Sequence, residues 1–160
     1  MRIEEIEIHG FKSFSQKTII RLDQGISGIV GPNGSGKSNV VDAIKWCLGE
    51  QSAKSLRGNA MSDLIFNGTQ KRKSQNFAEV AITLALDEDE KFPADYERFE
   101  SLRIARRITR EGSSNYSINM AKVRLKDIQN ILMDTGLANQ NYSFIEQGQI
   151  GEIVKARPQE

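Results

Sequence analysis

The 160-residue sequence has one cysteine, one histidine and one tryptophan. Cys47 alone cannot close an internal disulfide or complete a zinc cage, and it fits a reducing compartment. His9 alone argues against histidine-based metal chemistry. No apolar run approaches the roughly 20 residues that a membrane-spanning helix needs, which excludes that class. Isoleucine alternates with glutamate over residues 3–8, a strand pattern and not that of a signal peptide. The sequence also has no internal repeat and no low-complexity tract. Charge of one sign is missing as well: 22 basic residues stand against 21 acidic ones, a net of +1. That balance is no bulk signature of nucleic-acid binding.

What remains is an ordinary folding chain. Hydrophobic residues make up 38% and charged residues 27%, enough for one compact domain with a real core. The charge is unevenly spread. Asp87, Glu88, Asp89, Glu90, Asp95, Glu97 and Glu100 dominate residues 87–100. Arg103, Arg106, Arg107, Arg110, Lys122, Arg124 and Lys126 dominate residues 101–126. The basic segment reads either as a DNA-facing surface or, more plainly, as a solvated charged hairpin. Lys71-Arg72-Lys73 reads as a solvated loop that nonspecific charge would let touch DNA phosphate.

Periodicity predicts strands at residues 3–8, 17–22 and 26–30, the last running into a glycine-rich loop. A helix follows over residues 37–48, with Val40, Val41, Ile44 and Leu48 on one stripe and Gly49 as its stop. Trp46 and Cys47 are expected to pack around it. Residues 79–86 alternate as a half-exposed antiparallel strand. Residues 102–108 and 116–120 flank a hairpin signal at 111–115. Leu125, Ile128 and Leu132 space a second helix, with Gly136 as its stop.

The loop carries the chemistry. Gly31-Pro32-Asn33-Gly34-Ser35-Gly36-Lys37-Ser38 matches G-x-x-x-x-G-K-[ST] in full, between a β-branched stretch and an amphipathic helix. Glycines let backbone N–H groups turn toward phosphate oxygens, and the helix start adds its positive dipole end. Lys37 is the residue for the β/γ-phosphates and Ser38 the one for Mg²⁺. The guanine and switch motifs of a GTPase, Asn-Lys-x-Asp and Asp-x-x-Gly, are absent. A kinase lid would have to be built from Arg103, Arg106 and Arg107, which lie in a hairpin pattern. Asp87 follows an apolar stretch, as a Mg²⁺-binding aspartate does. It is rejected because its strand alternates and because it opens a run of four acids.

Five separated motifs carry a resemblance. They are Gly10-Phe11-Lys12-Ser13-Phe14, the loop through Asn39, Ser55-Leu56-Arg57-Gly58, Arg124-Leu125-Lys126-Asp127-Ile128 and Gln147-Gly148-Gln149-Ile150. In order and over essentially the whole chain, they resemble the N-terminal head segment of a prokaryotic structural maintenance of chromosomes (SMC) protein. The resemblance implies an α/β fold: the N-terminal half of an ABC-type P-loop ATPase head, with an antiparallel β part and a parallel β/α part. It implies a lobe over residues 1–150 and the start of a connection to a coiled coil at 151–160.

The resemblance also implies roles. Lys12, Ser13, Pro32, Asn33, Gly34, Ser35, Gly36, Lys37, Ser38 and Asn39 would bind ATP. Ser38 and Gln147 would serve Mg²⁺, and Lys37, Gln147 and Arg57 would carry turnover, with Arg57 coupling it to DNA. The implied partners are the C-terminal half of the same head, a second SMC head, a kleisin subunit and DNA, in the cytoplasm at the nucleoid. ATP binding and hydrolysis in the complete head dimer would drive chromosome condensation and segregation, with this segment inactive alone. Two other readings stay open: a self-contained P-loop enzyme such as a small-molecule kinase, and a noncatalytic module regulated by nucleotide.

Overall fold

The computed structural model describes residues 1–87 and 90–134. Six strands form one sheet: β1 (Arg2–His9), β2 (Thr18–Arg21), β3 (Phe77–Ala85), β4 (Ser101–Thr109), β5 (Ser114–Ile118) and β6 (Ala121–Val123). Their order is β2-β1-β3-β4-β5-β6, and every pair is antiparallel. Helix α1 spans Lys37–Cys47 and helix α2 Leu125–Asp134.

The register explains the core. Ile20, Ile6, Ile82, Ile104 and Ile118 are paired in one row across five strands. The period of two puts the whole row on one face, and α1 packs there. Trp46 and Cys47 on α1 are fully buried. The thiol of Cys47 lies 3.4 Å from the Val80 carbonyl and 3.5 Å from that of Ile104. Burial pushes this thiol's pKa up to about 12. Ile128, Ile131 and Leu132 of α2 join the same core.

The opposite face carries alternating charge. Glu7 accepts from Arg103 at 2.6 Å and pairs with Lys17 at 2.5 Å, while Glu79 pairs with Arg107 at 3.4 Å. The hydrogen bond from Arg103 holds the Glu7 carboxyl below the usual range. Alternation along β4 thus splits the basic segment: Arg106 is buried, whereas Arg107, Arg110, Lys122, Arg124 and Lys126 are exposed. Arg106 points into the core at 2% exposure. Its guanidinium lies between the rings of Trp46 and Tyr116, at 4.7 and 4.9 Å. It donates to the carbonyls of Trp46 at 2.8 Å and Glu50 at 2.7 Å. These groups at and just beyond the end of α1 have acceptor capacity to fill, and a cation there suits the helix dipole. Burial lowers the pKa of this guanidinium from its ordinary value. Arg110 also spends its donors on backbone, reaching Gln75 at 2.8 Å and Phe66 at 3.2 Å.

Two expected strands differ. Residues 26–30 form no strand among the described residues. Ile26 and Val30 are almost fully exposed, since no ladder partner lies beside them. The parallel part of the fold is therefore represented by the loop and α1, without a paired strand. Residues 116–120 do not run through as one strand. Asn119 and Met120 both take positive φ, 46° and 71°, and turn the chain from β5 into β6. Such a two-residue turn suits Asn, and the apolar side chain of Met120 disguises it. Gly49 does stop α1, at φ 118°. The expected stop at Gly136 lies outside the described residues.

Arg106→Met should lower the unfolding free energy by about 3 kcal/mol, because buried carbonyls lose charged donors. Arg107→Met, on the open face, should cost well under ~1 kcal/mol. Urea denaturation of both variants checks the contrast. Cys47 should resist alkylation at pH 8 until the chain unfolds.

Candidate nucleotide-binding site

The loop before α1 is shaped by two glycines in the left-handed region, Gly34 at φ 80° and Gly36 at φ 95°. Gly36 is the N-cap of α1, and its carbonyl accepts from Asn39 N–H at 2.9 Å. The first turn of α1 holds no acidic residue, so its positive end stays available to an anion. Lys37 curls back over the loop, and its Nζ donates to the carbonyls of Gly31 at 2.6 Å and Pro32 at 2.8 Å. Asn33, Ser35 and Ser38 are exposed around it.

The loop is closely walled on one side. A Cβ at Gly36 would stand 2.8 Å from Ser13 Oγ. A Cβ at Gly34 would meet nothing within 4 Å. One flank is thus packed and the other open, with a lysine and a helix start at the rim. That donor set fits a polyphosphate, and the Ser38 hydroxyl fits a hard cation beside it.

Two further segments converge on this loop. After β1 the chain turns at Gly10, where a Cβ would lie 2.2 Å from the Phe77 carbonyl. The turn is tied down by Lys12 N–H to the Leu64 carbonyl at 2.7 Å and by the bridge of Phe11 to Ile65. Lys12 has φ 48° and Arg57 has φ 56°, both in the region that favours glycine. Strain of this kind persists only where the surroundings hold it. Here a single carboxylate holds both. Asp42, on α1 and only 6% exposed, accepts from Lys12 Nζ and from Arg57 Nε at 3.1 Å. Lys12 Nζ also caps the Leu56 carbonyl. Arg57 Nη2 donates to Asn39 Oδ1 at 3.2 Å, and Asn39 Nδ2 donates to Ser13 Oγ at 2.9 Å.

The structure therefore brings together Lys12, Ser13, Asn39, Arg57 and the loop from Pro32 to Ser38. Gln147 lies outside the described residues. Asp42 was missed by sequence reasoning. Its signal was an acid between Val40 and Ala43 on a face that otherwise buries apolar groups. Asp87 is exposed and pairs with Arg2 at 2.7 Å, at the end of β1 far from the loop. Of the Lys71-Arg72-Lys73 run, Arg72 is tied to Ser15 Oγ at 2.7 Å. His9 packs edge-on against Phe77 at the strand end, with ring centroids 4.9 Å apart.

Antiparallel sheet, phosphate loop and the helix it opens define the N-terminal part of an ABC-type ATPase head. Comparison with known proteins agrees. The family model described as RecF/RecN/SMC N terminal domain matches residues 2–147, and the chain belongs to this family. It is 46% identical over 160 residues to the chromosome partition protein Smc of Myxococcus xanthus, covering all of this chain and 13% of that protein. A solved chain from work on ATP-driven dimerization and DNA-stimulated activation of SMC ATPases superposes with a TM-score of 0.88 at 37% identity. The match covers 99% of this chain and 93% of that one. The Smc head domain of Pyrococcus furiosus, with an extended coiled coil and bound to the C-terminal domain of ScpA, gives 0.87 at 39% identity. There the match covers 98% of this chain and 38% of that one.

Gly36→Ala should damage the loop, because it combines a positive φ with a Cβ 2.8 Å from Ser13 Oγ. Nucleotide affinity should fall at least ~10-fold while stability falls by only about 1 kcal/mol. Titration with a fluorescent ATP analogue, beside a urea melt, checks both.

Proposed function

We propose that this chain is the ATP-binding half of an SMC head, residues 1–150 forming the lobe and 151–160 leading to a coiled coil. ATP would lie on the loop from Pro32 to Asn39, with Lys12 and Ser13 beside it. Lys37, now resting on two loop carbonyls, would exchange them for phosphate oxygens, a stronger, charge-assisted pairing. Ser38 and Gln147 would ligate Mg²⁺, which when bound neutralises charge on the phosphates. Gln147 would also orient the attacking water, since one amide oxygen can accept from water or ligate a hard cation. Arg57 would couple DNA to turnover.

In this reading the C-terminal half of the same head completes the site, and a second SMC head closes over the nucleotide. Binding of ATP then engages two heads and hydrolysis releases them. A kleisin subunit and DNA are the further partners, and the setting is the cytoplasm at the nucleoid, in chromosome condensation and segregation. The observation that carries the reading is the convergence of Lys12, Ser13 and Arg57, from two distant stretches, on the rim of the phosphate loop.

The test is made on a reconstituted head. Lys37→Ala should abolish ATP binding without unfolding, because Lys37 faces the loop and not the core. Wild-type affinity in that variant would refute the site. Gln147→Ala should slow hydrolysis more than it weakens binding. Arg57→Ala should remove stimulation by DNA and leave basal turnover largely intact; phosphate release with and without DNA measures both.

A further inference from the structure

We infer that Asp42 is a positioning residue that links Arg57 to the phosphate loop, an inference that rests on the nucleotide-site reading above. Arg57 spends Nε and Nη2 on Asp42 and Nη2 also on Asn39. Its side chain is otherwise about half exposed, so its other edge faces outward. Asn39 is one turn before Asp42 on α1 and uses both ends of its amide, Oδ1 toward Arg57 and Nδ2 toward Ser13. Ser13 Oγ in turn forms the wall against Gly36. Polar contacts therefore run from the half-exposed guanidinium through Asn39 to Ser13, whose hydroxyl lies packed beside the N-cap of α1.

Asp42 anchors this chain for a physical reason. It sits in the buried stripe of α1 beside Val40 and Ala43, where an unpaired carboxylate is costly. Lys12 and Arg57 are what offset that cost, and both adopt strained backbone to reach it. An anion that draws Arg57 outward strips one cation from Asp42 and lets go of Asn39 Oδ1. The amide then loses the partner that orients it toward Ser13, and the wall at Gly36 shifts. Lys12, still bonded to Asp42 and to the Leu56 carbonyl, keeps the carboxylate from being left bare. Arg57 is thus the movable member and Lys12 the fixed one.

The experiment is a double-mutant cycle in the full-length protein, reading kcat and KM for ATP with and without DNA, beside thermal melting. Asp42→Asn should lower DNA-stimulated kcat by roughly 10-fold, with KM changed less than ~3-fold. Asp42→Glu, which keeps the charge, should recover most of the loss. Arg57→Ala added to Asp42→Asn should cost less than ~2-fold more, because the two act as one unit. Multiplicative losses would overturn the inference. So would an Asp42→Asn variant whose kcat loss tracks its melting temperature and is not rescued by Glu, a structural role only. Should Asp42→Asn fail to fold, the cycle of Asn39→Ala with Arg57→Ala carries the same two outcomes. Lys37→Ala separates the failures. Unchanged nucleotide affinity in that variant sinks the site reading, whereas lost affinity together with an additive cycle sinks only this inference.

Discussion

Arg106 reaches from the middle of β4 between the rings of Trp46 and Tyr116 and closes the carbonyls at the end of α1. A buried cation that makes no ion pair among the described residues holds only if its donors are filled, and here backbone oxygens and Gln51 fill them. The constraint fixes the C-terminal end of α1 against the sheet, and the buried faces of Val40, Ala43 and Trp46 fix its axis. The helix start, and with it the phosphate loop, can lie only where this leaves it. Asp42 then ties the turn after β1 and the one-turn helix at Lys54–Leu56 to the same helix. The phosphate loop is thus the exposed tip of a helix anchored at its other end.

The two faces of the sheet divide the labour. One buries the isoleucine row against α1 and α2. The other is laced by Glu5 with Arg21, Glu7 with Lys17 and Arg103, and Glu79 with Arg107. The more exposed of these, Arg21 with Glu5 and Arg107 with Glu79, contribute little energy each, but together the pairs leave few free arginines for a nucleic acid on that face. Arg57 differs in standing at the loop rim with one edge outward. The exposed Ile26, Ile29 and Val30 just before the loop form an apolar stretch that α1 does not cover.

Much of this was legible in the sequence where one period rules. The β1 alternation and the apolar face of the strand at residues 79–86 lie where periodicity puts them, whereas the α1 stripe is turned: Val41 is exposed, and Val40, Ala43, Trp46 and Cys47 form the buried face. The phosphate loop was legible because its glycines and lysine stand at required spacings. Failures came where the decisive partner is distant. Residues 26–30 are as β-branched as β1, but a strand is defined by its neighbour. Met120 is apolar, but its position in a tight turn depends on the register of β5 with β6. Arg106 and Arg107 are identical in the sequence and opposite in space, one burying its charge under α1 and the other lying over Phe77 at 3.8 Å. Asp42 was missed because its acid among apolar neighbours acquires a meaning only from Lys12, 30 residues earlier, and Arg57, 15 later.

The central claim is that this chain holds the nucleotide but only half of the machinery to cleave it. Phosphate release measured against protein concentration, for the 160 residues alone and with the C-terminal half of an SMC head added, tests that claim most directly. The account predicts no turnover by the chain alone. With the second half present it predicts Mg²⁺-dependent release that rises more steeply than linearly with protein, as two heads must meet. Robust turnover by the chain alone, first order in protein and lost on Lys37→Ala, would contradict it and make the chain a self-contained P-loop enzyme.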